Sequence, residues 1–461
     1  METEEIADRD TPDPAAWPAL DASVRQHSLY RLPPGAPALL LPGALSAAPA
    51  TPGEERLALE LCHRDGRRRE RAVRRAAAYP ALLPLVVIRA TDWAAPVREA
   101  ARALLDEVLD GDTAVALAPL ILLMGRRERG GAAVELLDRA LRRAPAGRLG
   151  VLLGHPERTV RRFAHRVALA EGRLSPVELA ATAARDADVV VQTLCGEAAV
   201  AALADGDATP ACDDVLAHLL GARSPQVRAI GVTALRRTGR AARATRFLAD
   251  RSALVRACAR YVVRQDGADP PPWYRERCAR AGDRALPPGA VTGLAECGER
   301  ADAALLLPLL AHPAPAVRAR AVAGLRALDA TDTAALTPLL DDPAPAVVRE
   351  TTTALLPSAR SLDAGALTAR LAPDRPWYLR VAAFRLLDAC GGLVRLRAAV
   401  ALLEDPDERL RQWAEQSVRS WYPTADVPRG AVEAGELLAR CRHLLGDHAI
   451  RRRLWEAGLD G

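Results

Sequence analysis

The chain has 461 residues, half of them apolar but only 3% aromatic, so any core must be built mainly from Ala, Leu and Val. Its 63 basic and 58 acidic residues leave a net charge of +5, and every Lys/Arg position is Arg, a coding bias rather than a ligand signature. The N-terminal METEEIADRD lacks a basic-then-apolar leader and no apolar run reaches about 18 residues, which argues against secretion and membrane spanning and for a cytoplasmic chain.

Residues 1–52 are rich in Pro, Ala and acid, as in PDPAAWPAL and RLPPGAPALLLPG, and read as a flexible arm with a short apolar piece around Leu39–Leu45. From residue 53 a phrase recurs: a short loop, an apolar residue, usually Arg, two variable residues and a small residue. The apolar anchors are Val97, Val160, Val191, Val227, Val255, Val317, Val348, Leu379 and Leu410, the last four 31 residues apart. Each opens an apolar pattern at offsets 0, 4, 7, 8 and 11, one face of a three-turn helix. The pattern restores units at Ala133 and Ala290 inside two double-length gaps, with a degenerate twelfth around Val73.

Each anchored helix follows another apolar helix and a breaker loop, as in DDPAPA, where Pro343 and Pro345 stop one helix and start the next. No segment alternates as a strand does. The unit is helix–turn–helix of about 31 residues, and stacked repeats of this kind form solenoids. The expected array covers 53–423, with irregular units near 112–146 and 266–301. Residues 424–461 supply capping helices, AVEAGELLARCRHLL and IRRRLW.

The V-R-x-x-A core resembles the HEAT repeat family, and specifically its short phycobilisome-lyase type. An Asp six residues before the Arg recurs as Asp92–Arg98, Asp250–Arg256, Asp374–Arg380 and Asp405–Arg411. Asp186 precedes Gln192, whereas His155, His312, Ala222 and Pro343 replace it before Arg161, Arg318, Arg228 and Arg349. The resemblance implies an all-α, right-handed α-solenoid of about eleven HEAT-like repeats, in which these Asp and Arg side chains form a ladder between units.

Candidate sites each have two readings. Trp273–Tyr274, Trp377–Tyr378 and Trp421–Tyr422 form either a contact strip for a peptide or for bases, or fillers of corners between units. Arg236, Arg264, Arg326 and Arg419 each lie eight residues after a repeat Arg; they either offset a helix dipole or form a basic track on the second helices, which line the concave face in HEAT arrays. RRRERAVRR (67–75) and IRRRLW read as solvated faces, and GRRERGG (125–131) as a Gly-bounded candidate for phosphate. The eight Cys are scattered without CxxC and read as small buried residues. His443 and His448 share no helical face, and no P-loop or nucleophile elbow is present, so no metal, cofactor or catalytic residue is expected.

The first functional expectation is a non-enzymatic scaffold binding another protein or peptide, acidic for choice, through its concave face. The second is a nucleic-acid-binding protein, or a base-repair protein similar to the AlkD glycosylases, for which Asp92–Trp93 and Asp374–Trp377 supply the residue types.

Overall fold

The computed structural model describes residues 13–26, 51–206 and 209–459, and among them every regular element is a helix. An initial helix, α1 (Ala16–Gln26), precedes the array. Five hairpins then follow in order: α2 (Pro52–Leu61) with α3 (Gly66–Arg75), α4 (Leu83–Arg89) with α5 (Ala95–Val108), α6 (Gly111–Met124) with α7 (Gly131–Arg143), α8 (Ala146–Leu153) with α9 (Arg158–Ala170), and α10 (Pro176–Arg185) with α11 (Val189–Ala201). The next are α12 (Pro210–Gly221) with α13 (Pro225–Arg237), a 3₁₀ segment (Ala241–Phe247) with α14 (Ala253–Gln265), and α15 (Pro270–Cys278) with α16 (Pro288–Cys297). Then come α17 (Ala303–Leu306) with α18 (Pro315–Ala327), α19 (Thr333–Leu336) with α20 (Pro345–Leu355), α21 (Ala364–Ala369) with α22 (Trp377–Cys390), α23 (Gly392–Ala401) with α24 (Glu408–Ser420), and α25 (Val432–Arg440) with α26 (Asp447–Glu456). Helix packing runs in sequence order, second helix on second helix, as in α9–α11, α16–α18 and α18–α20. This is an α-solenoid. Cα packing divides the chain into two compact units, 1–231 and 232–461.

The anchors occupy the third residue of each second helix. Val97, Val160, Val255, Val317, Leu379 and Leu410 are all buried, and the offsets behind them fill the core. One register differs. α20 starts at Pro345, so its third residue is Val347, not Val348, and the steps around it are 30 and 32 residues. Arg349 therefore falls one place too far along and is exposed against Glu350.

The fourth residue of the second helix carries the ladder. One edge of the guanidinium turns back on its own loop: Arg98 Nη1 donates to the Asp92 carbonyl (2.8 Å), Arg256 to Asp250 (2.6 Å), Arg411 to Asp405 (2.5 Å) and Arg228 to Ala222 (2.9 Å). The other edge reaches the next unit. Arg161 forks onto Asp186 (3.0 and 3.1 Å), Arg318 onto Asp342 (2.7 and 2.8 Å), and Arg380 bonds Asp405. The planar fork of Arg suits this double duty, since its two edges bond carbonyls and a carboxylate at once. The loop Asp also folds its own turn, with Asp92, Asp186, Asp250, Asp342 and Asp405 each accepting from the amide two residues on. Where His replaces Asp, the ring Nδ1 takes over that turn: His155 faces the Glu157 amide (3.0 Å) and His312 the Ala314 amide (3.0 Å).

Two expected ladder members differ. Asp374 is exposed, because seven residues separate α21 from α22, and Arg380 Nε donates instead to the Leu371 carbonyl (2.9 Å). Arg256 forks onto Glu296 of α16 rather than a loop Asp, the loop before α16 offering Ala285 where the Asp would stand.

Helix α1 lies inside the stretch expected to be an arm. Trp17, Leu20 and Val24 are buried, and the helix packs on α4. Their i, i+3, i+7 spacing makes one apolar face, which outweighs the Pro and Ala around it. The apolar piece at Leu39–Leu45 lies outside the described residues.

A separate clamp lies beside the ladder. Arg162, the fifth residue of α9, forks onto Asp188 (2.8 and 2.7 Å), which also caps α11 through the Val190 amide (3.0 Å). The Arg162 bonds, offset in part by desolvation, hold the Asp188 carboxyl down at about 2. A depressed carboxylate stabilises in full above its ordinary value of 3.8, and the contribution falls away as pH drops toward 2. Thermal unfolding followed over that window should fall less steeply with acid in Asp188→Asn than in the parent; equal slopes would exclude the pair.

Candidate functional site

The expected track and strips are best followed within residues 232–461. Arg236, Arg264, Arg326 and Arg419 are the twelfth residues of α13, α14, α18 and α24, and all four are exposed. Arg236 donates to Gln265 (3.1 Å) and Arg419 to Glu415 (3.1 Å). The series is not continuous. Asp388 fills the twelfth place of α22, and α16 and α20 end before theirs.

The aromatic pairs separate into core and surface. Tyr274 is fully buried, its hydroxyl donates to the Leu248 carbonyl (2.8 Å), and burial pushes it up to about 12. It fills a corner between units and presents nothing to a ligand, a correction to its place in a contact strip. Trp273 is half-buried, with the Arg277 guanidinium 3.6 Å from the ring centroid. Trp421 is buried, donating to the Gly392 carbonyl (2.8 Å). Tyr378 is half-buried against the Pro343 carbonyl (3.2 Å).

Trp377 behaves differently. Its ring stacks on Trp413 of α24, with centroids 5.8 Å apart and planes 27° apart, and both remain about 40% exposed (37% and 43%). Beside the pair lies a groove of about 670 Å³. Helices α20 and α22 pack directly, whereas α22 and α24 are joined through α23, and the groove opens between them. Its walls are Leu356, Val381 and Phe384 on one side and Trp413 on the other. Its polar end is built by Arg395 of α23, which bonds Asp388 (2.9 Å), the Ser417 hydroxyl (3.0 Å) and the Ser420 hydroxyl (2.7 Å). An apolar cleft with convergent polar groups at one end is the form in which proteins hold peptide side chains and small ligands.

Sequence reasoning found Trp377 but missed Trp413, Phe384, Val381 and Arg395. The signal was present: Trp413 sits three residues after the Leu410 anchor, outside the core offsets 0, 4, 7, 8 and 11. A Trp at an outward position has no core to fill.

Three other expectations are corrected by geometry. Arg69, inside the supposed solvated run 67–75, is fully buried and forks onto Asp92 (2.9 and 2.8 Å). Arg453, in IRRRLW, is buried, donates to the Arg419 carbonyl (2.6 Å) and lies 4.7 Å from the Tyr422 centroid. The 125–131 segment is a tight turn: a Cβ on Gly130 would stand 2.2 Å from the Met124 carbonyl oxygen, so its glycine serves backbone approach. Asp92 is also closed to base-excision chemistry, since Arg69 and Arg89 occupy its oxygens.

No family model matches the chain, and no curated protein does. Solved structures similar to it are helical-repeat chains. One is from work on tubulin recruitment and assembly by microtubule polymerases with TOG domain arrays, at 12% identity and a TM-score of 0.25, covering 78% of this chain and 99% of that one. Kap121p bound to RanGTP matches at 12% and 0.33, over 87% of this chain and 51% of its own, so the chain spans about half the length of Kap121p. A chain from work on a phosphorylation switch between cadherin and β-catenin matches at 12% and 0.24, over 88% and 98%. The likeness is one of fold. TM-scores this low add nothing to the architecture that the hairpins define by themselves. Among the described residues, no helix is long and apolar enough to cross a membrane.

Proposed function

We propose that the chain is a non-enzymatic HEAT-type scaffold that binds a protein partner on the outward face of its second helices, centred on residues 345–420. The short phycobilisome-lyase type remains our reading of the V-R-x-x-A core. The observation that carries the function is the exposed Trp377–Trp413 stack beside the groove between α22 and α24. Partly exposed Trp side chains over an apolar cleft are the residues that dominate binding energy at protein interfaces.

Random linear peptides displayed on phage and panned on the chain test this reading. Enriched peptides should lose about tenfold or more in affinity on Trp413→Ala, the scale of an interface anchor. Equal binding to the parent and to Trp413→Ala would exclude the groove as the contact centre.

The second reading, a nucleic-acid grip, is supported by the exposure of Arg236, Arg264, Arg326 and Arg419 at one helical position. It requires binding of DNA or RNA at low salt that falls steeply as salt is raised. The acidic Asp388 within the same series counts against it.

A further inference from the structure

The charges around the groove are unevenly satisfied. Asp388 is held by Arg395 and by the Ser417 hydroxyl, and Glu415 by Arg419. Glu296 is taken by both Arg256 and Arg260. The acidic groups of this face are thus already engaged. Several of its cations are not. Arg385 lines the groove itself, is exposed, and has no carboxylate partner among the described residues; Arg320 and Arg326 of α18 are in the same condition. Arg349 of α20 is two-thirds exposed and meets Glu350 only at 3.4 Å.

These residues have a common orientation. Second helices stack in register, with core side chains at residues three, seven, ten, eleven and fourteen. The fifth, ninth and twelfth residues then point about half a turn away from the core. Arg349 is the fifth residue of α20, Val381 the fifth and Arg385 the ninth of α22, and Arg326 the twelfth of α18. Arg385 and Arg326, without a carboxylate partner among the described residues, and Arg349, paired only with Glu350 at 3.4 Å, therefore flank an apolar cleft on one face, while Asp388 beside them is already held by Arg395.

We infer that this groove takes an acidic peptide segment with one large apolar side chain, a deepening that rests on the scaffold reading above. The apolar side chain fills the space between Phe384, Val381, Leu356 and Trp413. Flanking Asp or Glu residues reach Arg385 at the rim and Arg349 beyond it. A carboxylate accepts two parallel bonds from a guanidinium fork, and the adjoining apolar wall strengthens them by excluding water. Charge complementarity of this kind sets partner choice and encounter rate more than the final affinity. A phosphate backbone fits less well: the cleft floor is apolar, and Asp388 stands at its end.

The same display selection reports the chemistry through the composition of the enriched peptides. Selected sequences should carry one Leu, Ile, Phe or Trp flanked by Asp or Glu. A synthetic representative should bind about tenfold more weakly to Arg385→Glu. Replacing its Asp and Glu by Lys should restore binding to that variant, and its binding to the parent should weaken as salt rises. Enriched peptides with neutral or basic flanks that still need Trp413 would overturn the charge assignment and leave the scaffold reading standing. Peptides indifferent to Trp413→Ala would remove both. Displacement of the peptide by single-stranded RNA, with RNA binding itself lost on Arg385→Glu, would overturn the assignment in favour of nucleic acid.

Discussion

Asp92→Ala should destabilise the N-terminal hairpins by about 3–5 kcal/mol, the cost of leaving buried charge without its partner. Asp92 accepts two bonds from Arg69, one from Arg89 (3.2 Å) and one from the Ala94 amide (3.0 Å), and Arg25 stands 3.6 Å away. Arg69 and Arg89 are both almost wholly buried, so neither can recover hydration where it stands. Asp21 would remain as the one carboxylate bonded to Arg89, and none would remain on Arg69. The cluster has little slack, since Arg89 Nε already lacks a partner. Because each hairpin touches mainly its neighbours, the loss should fall on α2–α5 rather than on the whole chain. Hydrogen exchange read along the sequence, alongside urea unfolding, would locate it. Asp92→Asn, which keeps the turn but not the charge, should cost less than Asp92→Ala. A loss under about 1 kcal/mol for Asp92→Ala would mean that the buried Arg pair is stable without it.

Trp17→Ala should undock α1 while the hairpins beneath it persist. Removing a buried Trp side chain costs about 3–5 kcal/mol, and an 11-residue helix has little stability of its own to set against that loss. What else fastens α1 is the smaller apolar pair Leu20 and Val24 and a polar set: Asp21 to Arg89, Arg25 to Asp92, and Arg64 Nε donating to the Arg25 carbonyl (2.7 Å). Amides across residues 17–26 should lose their exchange protection, while those of α5 retain most of theirs. Continued protection of 17–26 would show that Leu20, Val24 and the ion pairs hold the helix without Trp17. Simultaneous loss in α5 would show that α1 and the first hairpins form one cooperative unit.

The sequence disclosed the repeat more fully than its connections. The apolar offsets predicted the buried face of nearly every second helix, because helical periodicity is local. The one slip, Val348 for Val347, arose because DDPAPAVVRE places two Val where other units place Val-Arg. The ladder was legible in residue type and not in pairing. Asp186 pairs with Arg161, 25 residues earlier, and no local spacing announces that partner. Position alone was equally misleading for Asp374, which keeps the six-residue interval to Arg380 but sits on a longer loop.

Charge runs hid buried members for the same reason. Arg69 and Arg453 read as solvated next to other Arg residues, yet each turns inward at a defined helical position, the fourth of α3 and the seventh of α26. For the groove, the WY pairs drew attention to helix starts. The informative residue was Trp413, which follows Gln412 off the core offsets and whose partner Trp377 lies 36 residues away.

The central claim is that a fourth-position Arg, as at Arg161, Arg318 and Arg380, ties its own helix to the loop Asp of the following hairpin. Double-mutant cycles on Arg380 test it most directly, one with Asp405 of the next loop and one with Asp374 of its own, each residue replaced by Ala. The structure predicts a coupling of about 1–3 kcal/mol with Asp405 and one within about 0.5 kcal/mol of zero with Asp374. Coupling to Asp374 with none to Asp405 would contradict it.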